Sequence, residues 1–271
     1  MELKAPAKVN LGLNVVAKRP DGYHELDGVM ARLELHDTLS LTPRSNGITL
    51  TVAGADLAAD ASNLAYRAAQ AYLTATGESR GVHLHLTKRI PLAAGLGGGS
   101  SDAAAVLRGL SRLYPAEVDL LSLAAKLGAD VPFFVVDVPA ARARGIGERL
   151  TPLKLPTLHL VLVNPGIAVS AKEAYAALRT LAPPLDVAAL LASLPAEPSY
   201  QNSLQAGVVA AYPTIAEALS ALRAEGLRGV LMSGSGATCF GLAQDEAHAQ
   251  AIAKRLSARY PRWWVCVTYS G

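Results

Sequence analysis

The chain has 271 residues, 51% hydrophobic and 17% charged, with a formal net charge of +3 at pH 7. That length suits one large or two small domains, and so apolar a composition excludes a disordered chain. Cys239 and Cys266, far apart and outside any CxxC, exclude a disulfide framework and a multi-cysteine zinc site.

A membrane span needs roughly 18 apolar residues in a row, and the longest uncharged stretches here are broken by Pro, Asn, Gly and Ser. The opening MELKAPAKVN has no apolar signal-peptide core, so a cytoplasmic protein is expected, with no membrane partner. Lys and Arg never run more than two together. That disfavours nucleic acid and gives mild support to an anionic small molecule.

In chain order, residues 7–17 alternate, with Val9, Leu11, Leu13 and Val15 opposite Lys8, Asn10, Gly12 and Asn14. Period two predicts a strand with one buried face. Asp21-Gly22 signals a turn. Strands are predicted over 29–41 and 48–52, a helix from its cap Asn63 to Thr76, and a strand over 82–86. A glycine-rich loop then leads into an Ala-rich helix, followed by a helix over 117–127 and an apolar strand over 131–136. A boundary is expected near Pro152–Pro156, dividing the chain into 1–153 and 154–271. Beyond it come a strand (158–163), a helix (171–181), a Pro-rich irregular stretch, a helix (214–225), strands (229–232 and 238–242), a helix (245–259) and a strand (263–269). That order resembles a βαββαβ half.

The loop Pro91-Leu-Ala-Ala-Gly-Leu-Gly-Gly-Gly-Ser-Ser-Asp102 carries the clearest chemistry. Glycines admit positive φ and let backbone press against a ligand. A helix N-terminus behind them favours a bound anion, above all phosphate. Ser100, Ser101 and Asp102 are good N-cap types. Walker A is excluded because no Gly-Lys pair occurs, and GxGxxG fails because Ser100 stands at its last position. A second segment, Ser233-Gly-Ser-Gly236, reads alone as a hairpin turn or as a second backbone clamp. Lys8, on the polar side of its strand, needs a partner or a substrate, because an unpaired buried ammonium is costly. Asp130 precedes Val131-Pro132 and is expected at a helix-to-strand corner.

Pro6–Leu13, Asp21-Gly-Tyr-His24, Pro91–Ala103, Leu127–Pro132 and Leu231–Ala237 together resemble the GHMP small-molecule kinases. Within that superfamily they look like the kinases that act on 4-diphosphocytidyl-2-C-methyl-D-erythritol in non-mevalonate isoprenoid precursor synthesis. The resemblance implies an α+β fold of two lobes. The N-terminal lobe would hold a left-handed βαβ and the C-terminal lobe would be ferredoxin-like, with the active site in the cleft between them. It implies ATP as co-substrate with Mg²⁺, and a small-molecule cytidine diphosphate acceptor.

Residue by residue, the resemblance makes Lys8 and Asp130 the catalytic pair, with Asn10 holding substrate or Lys8. Tyr23, His24 and Tyr175 would grip the cytosine. Pro91, Leu92, Ala93, Ala94, Gly95, Leu96, Gly97, Gly98, Gly99, Ser100 and Ser101 would wrap the ATP phosphates, and Asn63 and Lys88 would lie by the adenine. The sequence departs from the family pattern at Ala171, Ser203 and Gln205, and carries Asp102 where some relatives have Asn. Those substitutions put the contacts of these positions in doubt without touching Lys8 or Asp130.

Overall fold

The computed structural model describes residues 1–196 and 198–271. They fall into two compact units that the chain visits alternately. The first is Met1–Ala7, Leu35–Leu92 and Gly97–Val138; the second is Lys8–Glu34, Ala93–Leu96 and Pro139–Gly271. The elements run β1 (Glu2–Lys18), β2 (His24–Arg44), β3 (Ile48–Ala53), α1 (Leu64–Thr76), β4 (Gly81–Thr87), α2 (Gly98–Leu113), α3 (Leu120–Leu127) and α4 (Val131–Val136). They continue with β5 (Ala140–Gly145), β6 (Arg149–Pro152), β7 (His159–Asn164), α5 (Ala171–Ala176), α6 (Val187–Ser193), α7 (Gln205–Ala211) and α8 (Pro213–Ala224). The chain closes with β8 (Arg228–Met232), β9 (Cys239–Ala243), α9 (Glu246–Arg259) and β10 (Trp264–Tyr269). Among the described residues no helix is long and apolar enough to cross a membrane.

In the first unit β4 pairs antiparallel with Thr38–Arg44 of β2 and parallel with β3. A parallel neighbour needs a crossover, and α1 supplies it. Asn63 caps α1 by accepting from Ala65 N, and Gly77 ends it in the left-handed conformation. Small residues let α1 and α2 lie close: Ala65, Ala68 and Ala69 on one, Ala103, Ala104 and Ala105 on the other, all buried. Gly109 lets α2 lie against β1 and β2, since a Cβ would stand 2.6 Å from Leu3 Cδ1 and 3.0 Å from Leu41 Cδ1.

The segment 131–136 is a helix, not the expected strand. A six-residue apolar run has no readable period. Pro132 falls in the first turn, where its missing N–H costs nothing, and α2 and α3 cover the apolar side chains.

In the second unit Leu26–Ala31 of β2 pairs with β5, which forms a hairpin with β6. A four-stranded antiparallel sheet follows, ordered β10-β7-β9-β8. With α8 between β7 and β8 and α9 between β9 and β10, this is the ferredoxin-like order. Its apolar core includes Val161, Val163, Leu219, Leu222, Cys239 and Ile252.

Strand β1 differs from its predicted form, because Lys8 through Val15 are buried on both faces. The Pro-rich stretch supplies the second cover. Asn14 Nδ2 donates to Pro183 O (2.7 Å), Ser203 N to Leu13 O (2.8 Å) and Ala182 N to Val15 O (2.9 Å). That last bond draws the chain off α5, which stops at Ala176 rather than Leu181.

Candidate functional site

The glycine loop belongs to both units: Pro91 and Leu92 lie in the first, Ala93–Leu96 in the second, and the chain returns to the first at Gly97. Ala93, Gly95 and Gly97 have φ of 49°, 74° and 71°. Positive φ of this kind occurs in backbone concavities that suit an anion. Ala93 holds this shape without glycine's freedom, a strained conformation of the kind found at ligand sites.

Within the second unit the loop is anchored to Lys8 and to the second glycine-serine segment. Lys8 N donates to Leu96 O (2.9 Å), and Lys8 Nζ donates to Asn10 Oδ1 (2.6 Å) and Gly95 O (3.2 Å). Ser233 Oγ donates to Gly95 O (3.0 Å) and accepts from Asn10 N (3.3 Å). Thr238 N donates to Ala94 O (3.2 Å). Gly234 fits because a Cβ would lie 3.1 Å from Gly95 O and 3.2 Å from Lys8 Nζ. Asn202 Nδ2 donates to Met232 O (2.9 Å) and Gly234 O (2.7 Å), fixing this turn. The buried ammonium of Lys8 is thus held by carbonyl and amide oxygens between the two glycine turns. The second segment is the turn of the β8–β9 hairpin, hydrogen-bonded to the glycine loop.

Of the residues expected to grip the base, Tyr23 is exposed while His24 and Tyr175 are half-buried. Tyr23 is 60% exposed. Its turn is braced by Arg19 N to Tyr23 O (2.8 Å), Tyr23 N to Asp21 Oδ1 (3.1 Å) and the Arg19–Asp21 ion pair (2.9 Å). Hydrogen bonding by Arg19 holds the Asp21 carboxyl below its ordinary range. His24 and Tyr175 stack with centroids 5.0 Å apart and rings inclined 16°. The departures from the family pattern make bonds of their own: Ser203 Oγ accepts from Val15 N (3.2 Å) and Gln205 Oε1 from Met232 N (2.9 Å). At Ala171 the first turn of α5 is set by Ser170 and Glu173 in a capping box.

Within the first unit α2 begins after Gly97 with no side-chain cap. Ser100, Ser101 and Asp102, expected as cap types, lie inside the helix, Asp102 just past its first turn. That leaves the helix's leading N–H groups to the loop side, where a phosphate is favoured. Asp102 instead turns inward. Lys88 Nζ donates to Asp102 Oδ2 (2.6 Å) and also to Asp37. Burial pushes the Asp102 carboxyl up to about 7, against the pull of Lys88 and with the push of Asp37. Burial would lower Lys88, but the charges of Asp102 and Asp37 outweigh it and hold the ammonium above its usual range.

Asp130 occupies the N-cap position of α4 without capping it. Its corner is helix-to-helix rather than helix-to-strand. The same corner lies beside the start of α2: a Cβ on Gly128 would be 3.9 Å from Ser100 Oγ. Asn63 and Lys88 both have committed side chains, Asn63 capping α1 and donating to Ala58 O (2.8 Å).

Three residues escaped the sequence reading. Ser233 lay in a segment already marked. Asn202 and Asp37 gave no signal, because their partners are 32 and 51 positions away.

The family descriptions "GHMP kinases N terminal domain" and "GHMP kinases C terminal" match residues 63–137 and 186–262. A 4-diphosphocytidyl-2-C-methyl-D-erythritol kinase of Deinococcus radiodurans is 53% identical, covering 96% of this chain and 90% of that relative. One from Thermus thermophilus is 50% identical, covering 97% and 95%. A crystal structure of 4-(cytidine 5'-diphospho)-2C-methyl-D-erythritol kinase superposes with a TM-score of 0.90 at 49% identity over 100% of both chains. Relatives this similar over nearly the whole length show that the chain belongs to the GHMP kinases, and among them to the 4-diphosphocytidyl-2-C-methyl-D-erythritol kinase family.

Proposed function

We propose that the protein is an ATP-dependent kinase that phosphorylates the 2-hydroxyl of 4-diphosphocytidyl-2-C-methyl-D-erythritol, giving the 2-phosphate and ADP in non-mevalonate isoprenoid precursor biosynthesis. The full-length similarity to kinases of that name supports this reading. The observation within the structure that carries it is the Lys8 ammonium held against Gly95 in the glycine loop.

Phosphoryl transfer asks for positioning and charge stabilisation more than covalent chemistry. ATP is used as its Mg²⁺ complex, and the cation offsets phosphate charge. The backbone of Pro91–Ser101 cradles the phosphates, with the first turn of α2 facing them. Asp130 accepts the proton of the acceptor hydroxyl, and Lys8 orients that hydroxyl and stabilises the charge growing on the transferring group. Asn10 holds Lys8 in place. Tyr23, His24 and Tyr175 take the cytosine: rings for its face, polar groups for its edge. Asn63 and Lys88 flank the adenine through main chain, their side chains being committed elsewhere. In this division residues 1–153 carry nucleotide and catalysis and 154–271 complete the acceptor site, in the cytoplasm.

A panel of acceptors tests the reading. ADP release in a coupled assay with the cytidylylated methylerythritol, and none above background with homoserine, mevalonate or a simple sugar, is the expected result. Release with one of those others and not with the cytidylylated compound overturns it.

A further inference from the structure

Deep in the first unit, two carboxylates and one ammonium share one dry site. The side chains of Asp37, Lys88 and Asp102 are 0%, 2% and 2% exposed. Charged groups are seldom sequestered this completely, and a buried ion pair is weak support for stability because desolvation offsets attraction. The arrangement therefore asks for a purpose other than holding the fold together.

Its placement along the chain suggests one. Lys88 is three residues before Pro91, where the glycine loop opens, and Asp102 lies in α2 just past its first turn. Lys88 Nζ joins these two ends by its 2.6 Å bond to Asp102. Asp37, on β2, holds the entering strand a second time: its Oδ1 accepts from Arg89 N (2.5 Å) and Ile90 N (2.9 Å) while Oδ2 takes the ammonium. Backbone fit completes the neck. A Cβ on Gly98 would stand 3.1 Å from Ile90 Cγ2 and 3.4 Å from Lys88 Nζ, and one on Gly54 only 2.4 Å from Lys88 O.

We infer that Asp37, Lys88 and Asp102 form an ionic clasp that shuts the neck of the glycine loop and presets its amides for the nucleotide's phosphates. Lys88 is then a positioning residue that acts through the loop. An unclasped loop would be ordered only when phosphate arrives, and that ordering would be taken from binding free energy. The inference rests on the loop being the phosphate site.

The test uses the full chain with Lys88→Met, Asp37→Asn and Asp102→Asn, alone and as the Lys88→Met/Asp102→Asn pair. Amide exchange in nucleotide-free protein reads the clasp without reference to activity. Arg89, Ile90 and the amides of 92–99 should exchange at least tenfold faster in Lys88→Met, with those of 104–110 in α2 changed less than twofold. Steady-state kinetics reads its consequence. The KM for ATP should rise about tenfold with kcat lowered less than threefold, and the ratio of KM for ATP to KM for GTP should stay as in wild type. The effects of Lys88→Met and Asp102→Asn on ATP KM should not multiply in the pair, because one clasp is broken by either. Mg²⁺–tripolyphosphate, which lacks a base, should compete with ATP in wild type and about tenfold more weakly in Lys88→Met.

Loop exchange within twofold of wild type in the three single variants overturns the clasp, and so does an ATP-to-GTP ratio that moves with Lys88→Met, since that marks a base contact. A wild-type protein that tripolyphosphate does not inhibit overturns the phosphate reading of the loop instead, and the exchange result still decides the clasp. Should Lys88→Met fail to fold, the near-isosteric Asp102→Asn carries the same exchange and kinetic criteria.

Discussion

Replacing Gly95 and Gly99 by alanine, one at a time, separates what the loop's glycines do for the fold from what they do for the ligand. At Gly95, φ is 74°, and a Cβ would lie 2.1 Å from the carbonyl oxygen of Ser233 and 3.0 Å from Gly236 N. A left-handed non-glycine costs about 1–2 kcal/mol. The Ser233 oxygen is backbone and cannot swing aside, so the two glycine turns must part. Parting strains the bonds from Ser233 Oγ and Lys8 Nζ to Gly95 O and from Thr238 N to Ala94 O, each worth about 1 kcal/mol. Alanine's stiffer unfolded chain returns about 0.4–1 kcal/mol. The expected loss for Gly95→Ala is therefore about 3–4 kcal/mol, a large share of a total stability of about 5–15 kcal/mol.

At Gly99, in the first turn of α2, nothing lies within 4 Å of a Cβ. There Gly99→Ala should stabilise the fold by about 0.5–1 kcal/mol. Yet the residue sits on the face assigned to phosphate, so its added methyl should raise the KM for ATP several-fold. Urea unfolding at fixed pH gives both stabilities from the midpoints, and steady-state kinetics gives the KM values. A Gly95→Ala protein within about 1 kcal/mol of wild type would contradict the packing argument. A Gly99→Ala protein with unaltered ATP KM would take the first turn of α2 out of the nucleotide site.

The pH dependence of stability isolates Asp102. Burial raises its folded-state carboxyl from 3.8 toward about 7, so the native protein binds the extra proton in between, and stability falls as pH rises through that interval. Asp102→Asn should flatten that slope in urea unfolding measured across the interval; an identical slope in wild type and variant would show that Asp102 does not titrate there. Asn202→Ala removes an amide that is bonded to Met232 O and Gly234 O, and should lower stability by about 2 kcal/mol in the same assay; no change would mean the turn holds without it. Tyr23→Ala should raise the KM of the cytidylylated acceptor at least fivefold and leave the KM of ATP alone; an effect on ATP would move Tyr23 to the nucleotide side. Asp130→Asn should lower kcat by two or more orders of magnitude, the scale of a lost general base; unchanged turnover removes Asp130 from the chemistry.

The parts of the molecule that local chemistry dictates could be read before any coordinates. Asn63 before α1 and Gly77 after it mark helix ends, and the alternation from Val9 to Val15 marks β1. The order of strands β7 to β10 with helices α8 and α9 already spells a βαββαβ half, because those elements keep a readable period. What escaped reading is what depends on distant chain. The six residues of α4 are too few to show a period, so only the cover from α2 and α3 decides their state. Strand β1 reads as half-exposed because its polar residues look solvated. Asn14 and Ser203 show instead that a polar strand can be buried when a later segment supplies partners.

The site divides the same way. The glycine loop announces itself by composition, and Lys8 by standing polar on an apolar strand. Its neighbour Ser233 was visible only as part of a turn. Asp37 was invisible: one aspartate in a strand says nothing of a lysine 51 positions on. Asp102 read as a helix cap because its type and place allow one, yet the buried ammonium of Lys88 is a stronger partner than a helix N-terminus.

The position and stoichiometry of phosphate transfer test the central claim most directly. With the wild-type chain, the cytidylylated methylerythritol and Mg²⁺–ATP, phosphorus NMR should show one new phosphomonoester, coupled to the erythritol at carbon 2, growing in step with ADP. A phosphate that appears on any other hydroxyl, or ADP formed with no new ester, would contradict it.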